Sequence, residues 1–361
     1  MIQKSDLKRE SYHGMEQNSR FFNISLAGVV SAIAVVILHT NGVFWQFSAV
    51  EQYWFTANII ESVCYFAVPV FFMITGATLL SFYRRYGLRE YFRKRAEKVL
   101  IPYLFWSMIG ILVSTYYMKS ISPDELDLRL ILNLLAEGKA ISVYWFFIPL
   151  FTVYLCIPLL AAVRDDLKMN VFRYIFLASF VLNAVLPFLN SVFHLGLKTS
   201  IKVPVGSQYL IFVLLGYLLQ NSSLKKRDCC LIYVSGLAGL LMLVIGTYYS
   251  SMAAGSISSL YKGYVNVPSI MYSAAVFTLI RQAAPLLERN NTIRNAVLKL
   301  SGYTFPMFLV HKYVLTGLVK LFDTNTYSLV WRLGGVIPIT LAVVLFTALI
   351  RKIPVVRKIL P

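Results

Sequence analysis

The stretch VPVFFMITGATLLSFYRRYGLREYFRKRAEKVLIPYLFW, residues 68–106, sets the class of this chain. Two apolar runs flank a segment, Arg84 to Lys98, that carries seven Lys and Arg. Cations beside an apolar span mark its cytoplasmic end, because Lys and Arg stay on the inner side of a membrane. The same cations form the densest anion-binding surface in the sequence.

Composition outside this stretch agrees. Of 361 residues, 58% are hydrophobic and 14% charged, with a mean hydropathy of +0.67. A soluble domain carries about a quarter charged residues. The net charge of +18 is spread between apolar runs rather than along one soluble face, which speaks for anionic lipid contact and against nucleic acid. Cysteines 64, 156, 229 and 230 have no metal-ligand spacing, so no metal is expected. About twenty polar residues precede the first apolar run, and no cleavage motif follows it, so that run reads as a retained helix.

The expected fold is all-α: a polytopic integral membrane protein of about ten transmembrane helices. The spans are read at 22–42, 58–83, 99–118, 143–163, 171–190, 205–221, 229–250, 264–284, 300–321 and 333–351. With a cytoplasmic N-terminus, 25 of the 34 Lys and Arg fall inside, counting those at the inner span ends, so both termini are placed in the cytoplasm. Residues 1–21 then form a cytoplasmic segment, 22–351 the membrane domain and 352–361 a cytoplasmic tail. The stretch LRLILNLLAEG (128–138) is amphipathic and reads as interfacial.

Ionisable groups within spans are costly and are therefore functional candidates. His39 ends the run AIAVVILHTNG near the outer end of the first span. It is either a general base or an interfacial histidine held by a neighbouring helix. Glu61 opens the second span, where it can orient His39 or sit exposed at the interface. His311 and Lys312 lie in the ninth span; a helix–helix hydrogen bond suits the first and snorkelling the second. Asn183 is a neutral addition. Within the basic segment, Arg93, Arg95 and Lys98 run directly into IPYLFW, which holds them at a span entrance, where arginine forks suit phosphate.

Five segments in order resemble the membrane acyltransferase-3 family. They are VPVFFMITGATLL (68–80), RKRAEKVLIPYLFW (93–106), VYWFFIPLFTVYLCIPLL (143–160) with its Trp145, YLIFVLLGYLL (209–219) and YTFPMFLVHKYVL (303–315). The resemblance implies a cell-membrane enzyme that moves an acyl group, most often acetyl, from acetyl-CoA to a hydroxyl of an envelope polysaccharide or its lipid-linked precursor. It gives His39 the catalytic role and Arg93 and Arg95 the family's basic motif. The pattern is broken at Gly28, eleven residues before His39, where the family commonly has arginine. Arg20 is the nearest upstream cation, so this chain uses another residue, takes a different ligand or is inactive. A transporter of an anionic or glycolipid substrate is the rival reading, with the histidines as a proton relay. The expected topology also separates His39 from the basic segment by much of a hydrocarbon core about 30 Å thick.

Overall fold

The computed structural model describes residues 2–198, 200–353 and 359–361, with side chains from Phe21 onward. The side chains of 1–20 and all of 354–358, which belong to the expected cytoplasmic segments, lie outside the described residues. Among the described residues there is no strand. Twelve helices carry the argument. They are α1 (Phe21–Thr40), α2 (Gln52–Arg84), α3 (Leu88–Tyr117), α4 (Leu128–Ala136), α5 (Tyr144–Ala161) and α6 (Asp165–Phe193). Then follow α7 (Leu210–Asn221), α8 (Lys226–Ala254), α9 (Val267–Glu288), α10 (Asn291–Ser301), α11 (Thr304–Leu321) and α12 (Leu329–Ile350).

Eight of these are long and apolar enough to cross a membrane. The chain is an all-α polytopic membrane protein. Each of the ten expected spans is helical; the two outside the eight are α7, with 12 residues, and α11, which carries His311, Lys312 and Lys320. At 1.5 Å per residue α7 reaches only about 18 Å. It does not need a lipid-facing length, because every residue from Leu210 to Leu219 is buried within protein. Nothing in α4 is buried, as an interfacial helix requires.

Prolines shape the long helices. In α2 a turn at Tyr65–Phe66 separates Gln52–Cys64 from Ala67–Leu79. Pro69 has no N–H for the Tyr65 carbonyl and crowds it, which opens the helix there. Widened π turns at Ala96–Leu100 and Phe180–Val185 precede Pro102 and Pro187 in the same way. The polar Asn183 lies in the second of these turns. Its side chain donates to the Val203 carbonyl (2.9 Å) and accepts from the Val203 N–H (3.0 Å), so its role is to pin the 194–209 loop.

The centre of the bundle is built on close backbone contact. The second half of α2 lies against α7, where Gly76 meets the backbone of Val213 and Gly216 that of Met73, leaving no space for a β-carbon. Small residues of this kind let membrane helices approach without a hydrophobic driving force. Gly216→Val is therefore expected to cost about 1–3 kcal/mol by overpacking. The check is the thermal midpoint in detergent, which should fall; an unchanged midpoint would mean the two helices are free to separate. Helix α1 runs through the middle of the same core, with Phe22, Leu26, Val29, Val35 and Val36 buried.

Candidate functional site

Helix α1 ends where its sequence turns polar. After His39, Thr40 donates to the Ile37 carbonyl (3.0 Å) and to the Arg332 carbonyl (2.8 Å), and Asn41 donates to the Ala57 carbonyl (2.8 Å). A short 3₁₀ turn, Gly42–Trp45, follows. These bonds fix His39 in the last turn of α1, tied to α2 and α12. Its ring lines a cavity of ≈ 630 Å³ together with Glu61, Tyr65, Trp145, Tyr264 and Lys312.

His311 stands beside His39, with ring centroids 5.0 Å apart. It is fully buried, and its Nδ1 lies 2.8 Å from the Met307 carbonyl and 3.1 Å from the Phe308 carbonyl. Carbonyls only accept, so Nδ1 carries the proton and Nε2 offers a lone pair. That Nε2 has no hydrogen-bond partner.

Glu61 is buried, and its Oε2 is likewise unpartnered. It does not lie exposed at the interface, and no hydrogen bond joins it to His39. Glu61 shares the cavity with His39, and the ring that lies against the His39 imidazole is that of His311. What faces Glu61 electrostatically is Lys262, from the loop between α8 and α9. Lys262 is buried, donates to Asn58 Oδ1 (2.8 Å) and sits over the Phe44 ring at 4.2 Å. Burial pushes its ammonium well below the usual lysine value, and the charge of Glu61 works against that shift.

Aromatic rings floor the cavity. Tyr65 stacks on Tyr264 at 4.4 Å and 8°, and Trp145 stacks on the same tyrosine at 5.5 Å and 22°. Lys312 also lines this cavity. His39, Glu61, Trp145 and Lys312 are thus brought together, with His311 immediately behind.

The basic segment sits at the other end of the bundle, and its members differ. Arg93 is exposed and paired with Glu90 at 2.6 Å, while Lys98 is exposed. Arg95 turns inward: its guanidinium lies 5.4 Å from the Tyr154 ring centre and 5.9 Å from that of Tyr91, with a buried, unpartnered Nε. Arg84 and Arg85 are engaged with Asp165 and the Thr78 carbonyl.

A second cavity, of ≈ 360 Å³, lies along the first half of α1. It is lined by Phe21, Gly28, Thr75 and Tyr154, and shares Phe146 and Phe308 with the His39 cavity. The inner cavity borders α1 from Phe21 to Gly28 and the outer one from Val35 to His39, along a helix about 30 Å long at 1.5 Å per residue. Two separate cavities thus lie along the separation expected from topology, with Phe146 and Phe308 between them. At Gly28 a β-carbon would have room, its nearest neighbour being Thr304 Cγ2 at 3.9 Å.

Among the described residues no cluster of three or more His, Cys, Asp or Glu is placed to hold a metal. The acyltransferase-3 family profile, described as an acyltransferase domain, matches residues 23–349. No curated protein and no solved structure is matched by the chain. With nearly the whole chain covered, it belongs to the acyltransferase-3 family of membrane acyltransferases.

Proposed function

We propose that the chain moves an acetyl or other short acyl group from acyl-CoA to a hydroxyl of a cell-envelope polysaccharide or of its lipid-linked precursor. The basic end and both termini face the cytoplasm of a cell-membrane protein. The observation that carries this reading is the pair of cavities meeting at Phe146 and Phe308, one holding His39 and the other reaching Tyr154 beneath Arg95.

Acyl-CoA offers a 3′-phosphate and a pyrophosphate. In this reading Arg95 and Lys98 grip them by charge-assisted hydrogen bonds at the inner end. Arg93 contributes less, since Glu90 already takes its guanidinium. The thioester arm then passes along the Gly28 cavity to the outer one. There His39 takes the proton of the acceptor hydroxyl, whose oxygen attacks the thioester carbonyl carbon. The tetrahedral intermediate collapses with cleavage of the C–S bond, and His39 returns the proton to the leaving thiolate. The products are the ester and free CoA thiol. Arg95 sits over Tyr154, which lines the Gly28 cavity, so its cation stands near the inner end of the proposed donor path.

The test uses purified protein in liposomes with radiolabelled acetyl-CoA and isolated envelope glycan. Label is expected in the glycan as an alkali-labile ester, with one thiol released per ester. Transport of unlabelled glycan with no acyl transfer would overturn the proposal in favour of a transporter. A variant locates the donor path. Gly28→Leu fills the inner cavity without touching His39, and should raise the KM for acetyl-CoA roughly tenfold, the equivalent of about 1.4 kcal/mol, with kcat less affected. An unchanged KM would place the donor elsewhere.

A further inference from the structure

We propose that a third cavity, on the opposite side of the His39 cavity from the donor path, is the subsite for the phosphate of a lipid-linked acyl acceptor, with Lys312 as its anion-binding group. The inference rests on the acyl-transfer reading above and names the acceptor chemistry that reading leaves open.

The cavity has a volume of ≈ 410 Å³. Its walls are the π turn Val113–Tyr117 that ends α3, the loop at 139–142, and the face of α11 carrying Tyr313, Thr316 and Gly317. It shares Ser142 and Lys312 with the His39 cavity, so the two are adjacent at the lysine. An acceptor with its phosphate at Lys312 can pass a sugar hydroxyl beyond Ser142 toward His39.

The charges fit an anion. Lys312 has no carboxylate within ion-pair distance among the described residues, whereas Lys139 on the same cavity is paired with Glu137. A lysine in an apolar helix is costly unless it faces water or an anion, and Lys312 faces two cavities. Lys320 adds a second cation at the edge, its Nζ 4.3 Å from the centre of the Tyr117 ring. The surroundings fit a lipid chain. Tyr116, Tyr117 and Met118 at the end of α3 are exposed apolar side chains, and Val113 and Ile141 line the wall. A free sugar needs neither the cation nor this apolar rim; a phosphate joined to a long hydrocarbon chain needs both. The acyl-CoA phosphates are accounted for at the other end of α1.

Binding can be read without acetyl-CoA, so its outcome is separate from that of the acyl-transfer assay. The whole protein is placed in phosphatidylcholine nanodiscs and titrated with polyprenyl phosphate, with polyprenol, phosphatidylglycerol and inorganic phosphate as separate arms. Polyprenyl phosphate is expected to bind the wild type and Lys312→Arg. Lys312→Met should weaken it roughly 10- to 100-fold, the range for one charge-assisted hydrogen bond. Gly317→Phe blocks the cavity with Lys312 intact, and its β-carbon meets nothing within 4 Å, so it should lose binding while keeping the wild-type melting temperature. Equal binding by Lys312→Met, or polyprenol binding as well as its phosphate, would overturn the proposal. Phosphatidylglycerol competing at equal strength would reassign the site to bulk lipid headgroups, and inorganic phosphate binding as tightly would remove the lipid chain from the argument.

Discussion

His39→Ala is expected to lower acyl transfer roughly 10²- to 10⁴-fold, the usual contribution of a positioned general base. The ring is half-buried on a cavity wall and not packed in the core, so its removal leaves no closed void. The melting temperature should therefore stay close to that of the wild type. Donor binding should stay too, because the groups assigned to the phosphates lie at the other end of α1. The informative combination is thus unchanged acetyl-CoA binding, intact fold and lost ester formation. A cavity of ≈ 630 Å³ that gains the volume of the missing ring also admits free imidazole, and added imidazole should restore part of the rate. Full acylation of glycan by His39→Ala would remove the histidine from the reaction and with it the mechanism proposed here.

How far the sequence reaches can be judged residue by residue. The spans were legible because apolar length is what a bilayer demands, and every expected span is a helix in the fold. The crossing status of α7 was not, since its short length is tolerated only by complete burial among other helices, a tertiary property. His39, Lys312 and Trp145 stood out as ionisable or family-like residues and do share a cavity. Lys262 did not stand out: in sequence it is one cation of an ordinary loop, and only folding carries it over the Phe44 ring and beside Asn58. Its flanking Tyr261 and Tyr264 were the one available sign. The difference between Arg93 and Arg95 was partly readable. Arg93 follows Glu90 by three residues, and Arg95 follows the buried Tyr91 by four, so helical spacing sends the first outward to a carboxylate and the second inward. That His311 stands beside His39 was not legible, because proximity along the chain points to Glu61, while the fold also brings α11 across α1.

That neighbour gives the second large effect. The His311 Nδ1–H is held by two carbonyls of its own helix, which leaves Nε2 as a lone pair buried beside the His39 ring. Centroids 5.0 Å apart suit one N–H···N bond once the His39 ring turns toward it. In that arrangement His311 accepts the N–H of His39, sets its tautomer and leaves the opposite nitrogen free to take the hydroxyl proton. His311 is then a positioning residue with no contact to the substrate. Its replacement by leucine keeps the buried volume similar but removes the acceptor, and kcat should fall roughly 10²-fold. The KM values for acetyl-CoA and acceptor should stay within about twofold, because neither ligand touches the ring. A purely packing role predicts the opposite ranking of variants: leucine tolerated, a polar side chain harmful. The proposed role predicts that His311→Gln, whose amide oxygen can accept the same hydrogen bond, recovers part of the lost kcat. If leucine retains full kcat while glutamine destabilises the fold, His311 is core packing and His39 acts without an orienting partner.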